Sequence, residues 1–291
     1  MYGYPIGRKF PHFVALTRLD RPIGILLLLW PTLWALWFAA GGVPRLDTLV
    51  IFIVGTVLTR SAGCAINDFA DRKIDGHVAR TRHRPLASGA LDAREALLAA
   101  GLLMLLAFAL VLLTNTLTIQ LSLVALALAT LYPFAKRVTH WPQLVLGAAF
   151  GIAIPMAFAA ETNAVPPLAW ALFATALVWT VAYDTWYAMA DREDDLKIGV
   201  KSTAVLLGRH DLAVIALLQG AVLVALAMIG VHEERGVLYA LGLLVALGLA
   251  VGQLWRARDR DPARCLAAFL DNNRFGLAVF VGLAADFAAF P

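Results

Sequence analysis

The stretch Asn67–Gly89, NDFADRKIDGHVARTRHRPLASG, directly follows an apolar run, 47–66, that is long enough to cross a membrane. If the helix of that run continues, Asn67, Asp71 and Asp75 are spaced four residues apart and lie on one face. Three oxygen-bearing side chains on one face suit a hard cation such as Mg²⁺, which prefers oxygen ligands. We therefore predict a magnesium site at the end of a membrane-spanning helix.

Cationic side chains follow this first acidic motif within the same stretch. They are Arg72, Lys73, Arg80, Arg82 and Arg84. Carboxylates beside guanidinium groups indicate a ligand that binds both, and a diphosphate bridged by a metal ion is such a ligand. Because topology alone also places arginine and lysine in cytoplasmic loops, we assign a diphosphate contact only to Arg72, which lies inside the motif.

A second acidic stretch, Tyr183–Ser202, reads YDTWYAMADREDDLKIGVKS. In it Asp184, Asp191 and Asp195 lie near one helical face. The seven residues from Asp184 to Asp191 are close to two helical turns, and the four from Asp191 to Asp195 are close to one turn. We predict that the apolar helix ends near residue 186, that a polar loop follows, and that these acids join the same site. Lys201 is the second candidate for a diphosphate contact.

The composition excludes a soluble globular domain. Of 291 residues, 61% are hydrophobic and only 15% are charged, whereas soluble domains are nearer half apolar and a quarter charged. Long apolar runs predict an all-α, polytopic membrane protein, because a helix forms all the hydrogen bonds of its backbone N–H and C=O groups internally, and lipid offers no other partners. About nine spans are predicted, at 23–40, 47–66, 94–113, 117–134, 143–160, 167–186, 211–230, 236–254 and 275–290. Pro155 is expected to kink the fifth span.

The distribution of lysine and arginine predicts the orientation. With the N-terminus in the cytoplasm, the opposite side keeps only Arg45 and Arg235. The net charge of +4 is then explained by topology, so the expected partner is the lipid bilayer and not nucleic acid. Both acidic stretches fall on the cytoplasmic side. No linker divides the chain, and a single domain over residues 1–291 is the simplest organisation.

Two polar pairs each have two interpretations. Lys136 and Arg137, in the run TLYPFAKRVTH after the fourth span, are either a topological pair or an anion site in which Arg137 binds the carboxylate of a second substrate. Asn272 and Asn273, at the start of the predicted last span, either line a cavity or cap a helix.

Other enzyme classes lack their motifs in this sequence. It contains no G-x-x-x-x-G-K-[ST], no G-x-S-x-G and no H-E-x-x-H. Integral-membrane CDP-alcohol phosphotransferases have a pattern that fits at Asp75 and Gly76. However, three of the four positions at which that pattern requires an acidic ligand are occupied by Arg72, Ala93 and Leu97. That pattern also leaves the second acidic stretch unexplained, so we reject it.

Together the motifs resemble those of the UbiA-type intramembrane prenyltransferases, most closely the 4-hydroxybenzoate polyprenyltransferase branch. The residues that carry the resemblance are Asn67-Asp68-x-x-Asp71-x-x-x-Asp75, Arg82-x-Arg84-Pro85-Leu86-x-Ser88-Gly89, and Asp191-x-x-x-Asp195 with Gly199-x-Lys201-Ser202. The runs LTRLDRPIGILLLLWPTLWAL, YPFAKRVTHWPQLVLGAAFGIAIPMAF and YDTWYAMADREDD extend it over nearly the whole chain.

The resemblance implies a nine-helix bundle around a lipid-accessible cavity in the bacterial inner membrane, with the site on the cytoplasmic side. It implies transfer of a polyprenyl group from polyprenyl diphosphate to the ring carbon beside the hydroxyl of 4-hydroxybenzoate, in ubiquinone synthesis. The implied Mg²⁺ ligands are Asn67, Asp71, Asp75, Asp191 and Asp195, and Asp68 is implied as a supporting acid at the metal site. Of these ligands, the four aspartates are also the implied catalytic residues. Arg72 and Lys201 would then bind the diphosphate, and Lys136 and Arg137 the aromatic acid.

Two alternatives stay open. The same chemistry could serve another acceptor, such as a naphthoate, haem or glycerol phosphate. Alternatively, the chain could be an ion transporter that uses intramembrane acids. A transporter would place its acids in mid-span, whereas these cluster at the predicted span ends.

Overall fold

The computed structural model describes residues 6–73, 75–77 and 81–290, and most of these residues are helical. The helices are α1 (Ile6–Leu16), α2 (Ile23–Ala40), α3 (Leu46–Asp71), α4 (Ala93–Val111), α5 (Thr116–Val138), α6 (Pro142–Gly151), α7 (Ala153–Thr162), α8 (Pro167–Ile198), α9 (Thr203–Leu207), α10 (Asp211–His232), α11 (Val237–Arg256) and α12 (Pro262–Ala289). No strand occurs among the described residues, so the predicted all-α class is confirmed.

Nine helical segments within the described part of the chain are long and apolar enough to cross a membrane, as predicted. Helices α6 and α7 together make one of them, and α9 with α10 another. The helix breaks at Ile152 because Pro155 has no N–H to donate to the carbonyl of Gly151. The predicted interruption of the fifth span is therefore confirmed, and Pro142 opens α6 in its first turn, where an N–H is not needed.

Two predicted boundaries are wrong by several turns. Helix α8 continues past residue 186 to Ile198, and α12 begins at Pro262 instead of residue 275. The extra turns of α8, residues 187–198, contain no glycine or proline, and those of α12 contain Pro262 only in the first turn, where it does not interrupt a helix. Hydropathy locates the continuously apolar part of a helix, and the helix itself continues through residues of mixed polarity.

The chain forms two compact units. The described parts of residues 1–26 and 51–113 form the first unit, and 27–50 with 114–290 the second. In the first unit Leu16 of α1, Ala65 of α3 and Ala96 of α4 belong to one buried apolar cluster, which also includes Leu91. The single domain over residues 1–291 stays a prediction.

Aromatic packing organises the second unit around α8. Trp179 of α8 is buried against Trp34 of α2, with ring centroids 5.3 Å apart, and stacks on Phe275 of α12 at 5.5 Å. Trp30 donates a hydrogen bond to Asn273 Oδ1 at 2.8 Å. Tryptophan N–H groups buried in this way need an acceptor, and α12 supplies it.

Asn272 and Asn273 lie in the interior of α12, so the helix-cap alternative is wrong. The cap is Asp261, whose side chain accepts a hydrogen bond from the backbone N–H of Arg264. Asn272 is fully buried, accepts from Trp179 Nε1 at 3.1 Å and donates to Gln253 Oε1 at 3.3 Å. It therefore joins α8, α11 and α12 through side-chain hydrogen bonds. Polar side chains buried between membrane helices are stabilised by such bonds.

Helices α11 and α12 touch at two glycines. A Cβ on Gly242 would lie 2.7 Å from the carbonyl oxygen of Ala278 and 2.9 Å from the Cα of Gly282. Such contacts with backbone atoms cannot be relieved by a side-chain movement. Small residues allow this close approach, which is a common way to pack helices in membranes.

We expect Gly242→Ala to destabilise the protein by about 1–3 kcal/mol, the usual cost of overpacking a well-packed contact. The measurement is thermal unfolding in detergent. Gly248→Ala on the same helix is the matched control, because a Cβ there meets no atom within 4 Å. Equal melting temperatures for the two variants would contradict the close contact.

Candidate active site

The first acidic motif straddles the end of α3. Asn67 and Asp71 lie four residues apart in the last turns of the helix, as predicted, but Asp75 does not continue this face. The helix ends at Asp71, and Asp75 opens a short 3₁₀ helix, Asp75–His77. Arg72 donates to the carbonyl of Phe69, which satisfies one of the last carbonyls of α3 and helps to end it there.

Three carboxylates of this motif are buried within eight consecutive residues. The exposed fraction is 1% for Asp68, 3% for Asp71 and 5% for Asp75. Aspartate is almost never buried so completely unless it is paired with a cation or binds a metal. The first unit must therefore provide positive charge at this place.

Two arginines provide part of that charge. Arg18 donates to both carboxylate oxygens of Asp68, at 2.8 and 2.9 Å. Arg84 lies between Asp68, at 3.1 Å, and Asp75, at 3.0 Å. The spacing of charges in the sequence assigns Arg84 no role beyond topology and does not single out Arg18. A buried Asp68 calls for a cation, but nothing local in the sequence indicates which distant arginine it is.

The electrostatics of Asp75 reflect its burial. Burial raises the pKa of the Asp75 carboxyl above its ordinary value, and the nearby charges of Asp71 and Asp68 act in the same direction. The guanidinium of Arg84 lowers the pKa but does not compensate fully. A divalent cation beside Asp75 would stabilise its ionised form.

Arg72, the predicted diphosphate contact, lies against its own helix. Its guanidinium is 4.1 Å from the centre of the Phe69 ring and donates to the Phe69 carbonyl. Its role toward a diphosphate stays a prediction. Arg80 lies outside the described residues.

The second acidic motif lies on one helix of the second unit. Asp184, Asp191 and Asp195 are all in α8, which confirms their common helical setting and corrects the predicted loop. All three are half-buried. Gly199 ends the helix in a left-handed conformation, with φ of 72°, where glycine has no steric cost.

The connection after α8 is fixed at several points. Thr185 and Thr203 share a hydrogen bond of 2.8 Å between their hydroxyl groups, and Ser202 caps α9. Lys201 donates to the carbonyl of Val138, the last residue of α5, at 3.2 Å. Lys201 therefore lies at the end of the helix that carries Lys136 and Arg137, whose own side chains are outside the described residues.

The two motifs belong to different units, and their convergence on one site stays a prediction. Within the described part of the chain, no three His, Cys, Asp or Glu side chains form a preassembled metal cage. The buried carboxylates nevertheless fit Mg²⁺, because proteins usually bind this ion through one or two carboxylates together with substrate phosphates. The oxygen donors of Asn67, Asp71 and Asp75 are of the required kind.

Comparison with known proteins decides the family. The model of the UbiA prenyltransferase family matches residues 28–280. The chain belongs to the UbiA prenyltransferase family. The predicted resemblance is thus confirmed, and this UbiA-family chain is a prenyltransferase and an integral membrane protein.

Curated relatives cover nearly all of this UbiA-family chain. It is 56% identical over 287 residues to the 4-hydroxybenzoate octaprenyltransferase of Pseudomonas aeruginosa strain UCBPP-PA14, covering 98% of this chain and 97% of the relative. It is 58% identical over 276 residues to the protein of that name from Pseudomonas fluorescens strain SBW25, covering 95% and 93%. These relatives confirm the predicted branch of the family.

Solved structures share the fold. The UbiA homolog from Aeropyrum pernix K1, in its apo form, matches with a TM-score of 0.80 and 24% identity over 90% of this chain and 97% of that one. The UbiA homolog from Archaeoglobus fulgidus bound to GPP and Mg²⁺ matches with a TM-score of 0.68 and 21% identity, covering 92% and 99%.

Proposed function

We propose that this chain transfers a polyprenyl group from polyprenyl diphosphate to the ring carbon ortho to the hydroxyl of 4-hydroxybenzoate, with Mg²⁺, in ubiquinone biosynthesis. The observation that carries the proposal is the identity of 56–58% over at least 95% of the chain to 4-hydroxybenzoate octaprenyltransferases. The buried carboxylates of the first motif and the acidic end of α8 support the metal dependence.

Asn67, Asp71 and Asp75 would hold Mg²⁺ together with Asp191 and Asp195, and the bound ion would stabilise the negative charge on the departing diphosphate. Asp68 supports the site through its two arginines. The allylic carbon–oxygen bond breaks, the ring carbon bonds to the allylic carbon, and the ring then loses a proton.

The chain's other residues bind and orient the substrates. Arg72 and Lys201 bind diphosphate oxygens as charged donors. Arg137 binds the carboxylate of the aromatic acid and so turns its ring toward the allylic carbon, with Lys136 as a neighbouring cation. Apolar spans receive the polyprenyl tail and exclude water, which would otherwise capture the allylic cation. Asp191 is the proposed acceptor of the phenolic proton while the ring attacks, and the oxygen regains a proton when the ring carbon releases its own proton to solvent.

The direct test is product formation by purified protein in detergent, with 4-hydroxybenzoate, a polyprenyl diphosphate and Mg²⁺, with and without EDTA. We expect a prenylated aromatic acid that disappears with EDTA. If a product forms only with a naphthoate, haem or glycerol phosphate, then 4-hydroxybenzoate is not the acceptor. If the reconstituted protein conducts ions and forms no prenylated product, then the proposed enzymatic function is wrong and a transporter is indicated.

The location follows from the same proposal. We infer a place in the bacterial inner membrane, with the N-terminus and the ends of α3 and α8 in the cytoplasm and one domain over residues 1–291. The excess of lysine and arginine in the corresponding loops supports this orientation.

Arg137→Gln should raise the KM for 4-hydroxybenzoate roughly tenfold or more, because a hydrogen-bonded charge is lost from the acceptor site. The KM for the diphosphate should change much less. Initial rates over a matrix of the two substrate concentrations separate the two constants. Arg258→Gln, an exposed arginine in the α11–α12 connection, is the control. Equal effects on both KM values would remove the proposed role of Arg137.

A further inference from the structure

Asp211, the first residue of α10, is a buried carboxylate that the proposed mechanism does not use. Its side chain is 0% exposed and accepts hydrogen bonds from two arginines, Arg192 and Arg260. Arg260 Nε lies 3.0 Å from Oδ1 and 3.2 Å from Oδ2, and the backbone N–H of Leu212 also donates to Oδ1. This carboxylate is therefore held from several directions within the second unit.

The two arginines come from separate elements. Arg192 lies in α8, and Arg260 lies in the connection between α11 and α12. Arg260 has a left-handed backbone, with φ of 61°, and also donates to the carbonyl of Arg209 at 2.9 Å. Asp211 thus joins the end of α8, the start of α10 and the α11–α12 connection through one carboxylate.

The place of Arg192 on α8 gives this arrangement its functional meaning. Arg192 directly follows Asp191 and precedes Asp195 by three residues, a spacing at which side chains on a helix reach each other. A guanidinium without a fixed partner at this position would compete with a divalent cation for the carboxylate of Asp195. Asp211 fixes the guanidinium by binding it directly.

We propose that Asp211 is a positioning residue for the second acidic motif, which includes Asp191 and Asp195: by binding Arg192 and Arg260 it prevents Arg192 from competing with the metal ion for Asp195. This inference rests on the proposed function, in which these two acids bind Mg²⁺. It adds a residue that acts through Arg192.

The test measures metal binding directly. Mn²⁺ is titrated into purified protein in the presence of an unreactive thiodiphosphate analogue of the allylic substrate, and free Mn²⁺ is followed by electron paramagnetic resonance. Asp211→Asn should weaken Mn²⁺ binding on the order of tenfold, as is usual for residues that orient metal ligands. The double variant Asp211→Asn with Arg192→Gln should return to within about threefold of the wild type, because the competing cation is gone.

Asp259→Asn is the matched control. Asp259 is an exposed carboxylate in the same α11–α12 connection and pairs with Arg264 at 2.6 Å, so its loss should leave Mn²⁺ binding unchanged. Unchanged binding in Asp211→Asn, or a double variant as weak as Asp211→Asn alone, would overturn the inference.

Arg192→Gln alone keeps the inference testable if Asp211→Asn fails to fold. It should bind Mn²⁺ as tightly as the wild type or more tightly, and weaker binding would overturn the inference. A wild-type protein that binds no Mn²⁺ and transfers prenyl groups in EDTA would instead refute the proposed metal site itself. The failure of the inference and that of the proposed function are therefore distinguishable.

Discussion

Replacing Asp71 by asparagine should lower prenyl transfer by about 100-fold to 1,000-fold, and Asp191→Asn should do the same. The change keeps the size of the side chain but removes the negative charge that binds a divalent cation. In mutagenesis, losing one such electrostatic stabiliser of a developing charge costs a factor of this size. The measurement is the initial rate with 4-hydroxybenzoate, polyprenyl diphosphate and saturating Mg²⁺.

Two matched controls carry the same chemical change. Asp194→Asn alters a neighbouring carboxylate of α8 that pairs with Lys197 at 3.4 Å, and Asp20→Asn alters a surface pair with Arg21. Both should keep nearly full activity. If Asp71→Asn or Asp191→Asn kept more than about a tenth of the wild-type rate while folded, the assignment of that residue would fail.

The largest expected effect on stability is that of Asp68→Asn. Asp68 is 1% exposed and lies between Arg18 and Arg84, so neutralising it leaves two partly buried guanidinium groups without their shared counter-ion. Breaking a buried ion pair on one side usually costs about 3–5 kcal/mol. Because Arg84 keeps Asp75 as a partner, we expect the lower end of that range. Thermal unfolding in detergent gives the change.

A double-mutant cycle separates the ion pair from a general loss of packing. In the Asp68→Asn background, Arg18→Met should cost less stability than it does in the wild type, since the partner is already gone. Asp259→Asn, which breaks an exposed pair, should cost less than about 1 kcal/mol. Purely additive effects of the two substitutions would show that Arg18 and Asp68 do not stabilise each other.

The sequence predicted the parts of the structure that depend on local patterns. Apolar runs located the spans, and the spacing of Asp184, Asp191 and Asp195 correctly indicated one helical face, although the loop predicted after residue 186 was wrong. The failure at Asp75 is also local in origin. A four-residue period indicates a helical face only while the helix lasts, and the side chain of Arg72 helps to end α3 just before that residue.

Long-range ion pairs could not be predicted from such patterns. Arg18 and Asp68 are 50 residues apart, and Arg260 and Asp211 are 49 apart. In the sequence these arginines are indistinguishable from the many loop arginines that the predicted topology already explains. Only the fold shows which of them neutralise a buried carboxylate.

The uninterrupted course of α8 bears on how a polyprenyl substrate reaches the enzyme. At 32 residues the helix is about 48 Å long, against about 30 Å for the hydrocarbon layer, and its acidic residues all lie in its C-terminal half. If, as proposed, this acidic end lies at the membrane surface, a polyprenyl diphosphate keeps its charged head there while its tail remains dissolved between the leaflets. Encounter becomes a search in two dimensions, governed by the number of substrate molecules per lipid and not by their concentration in the surrounding water.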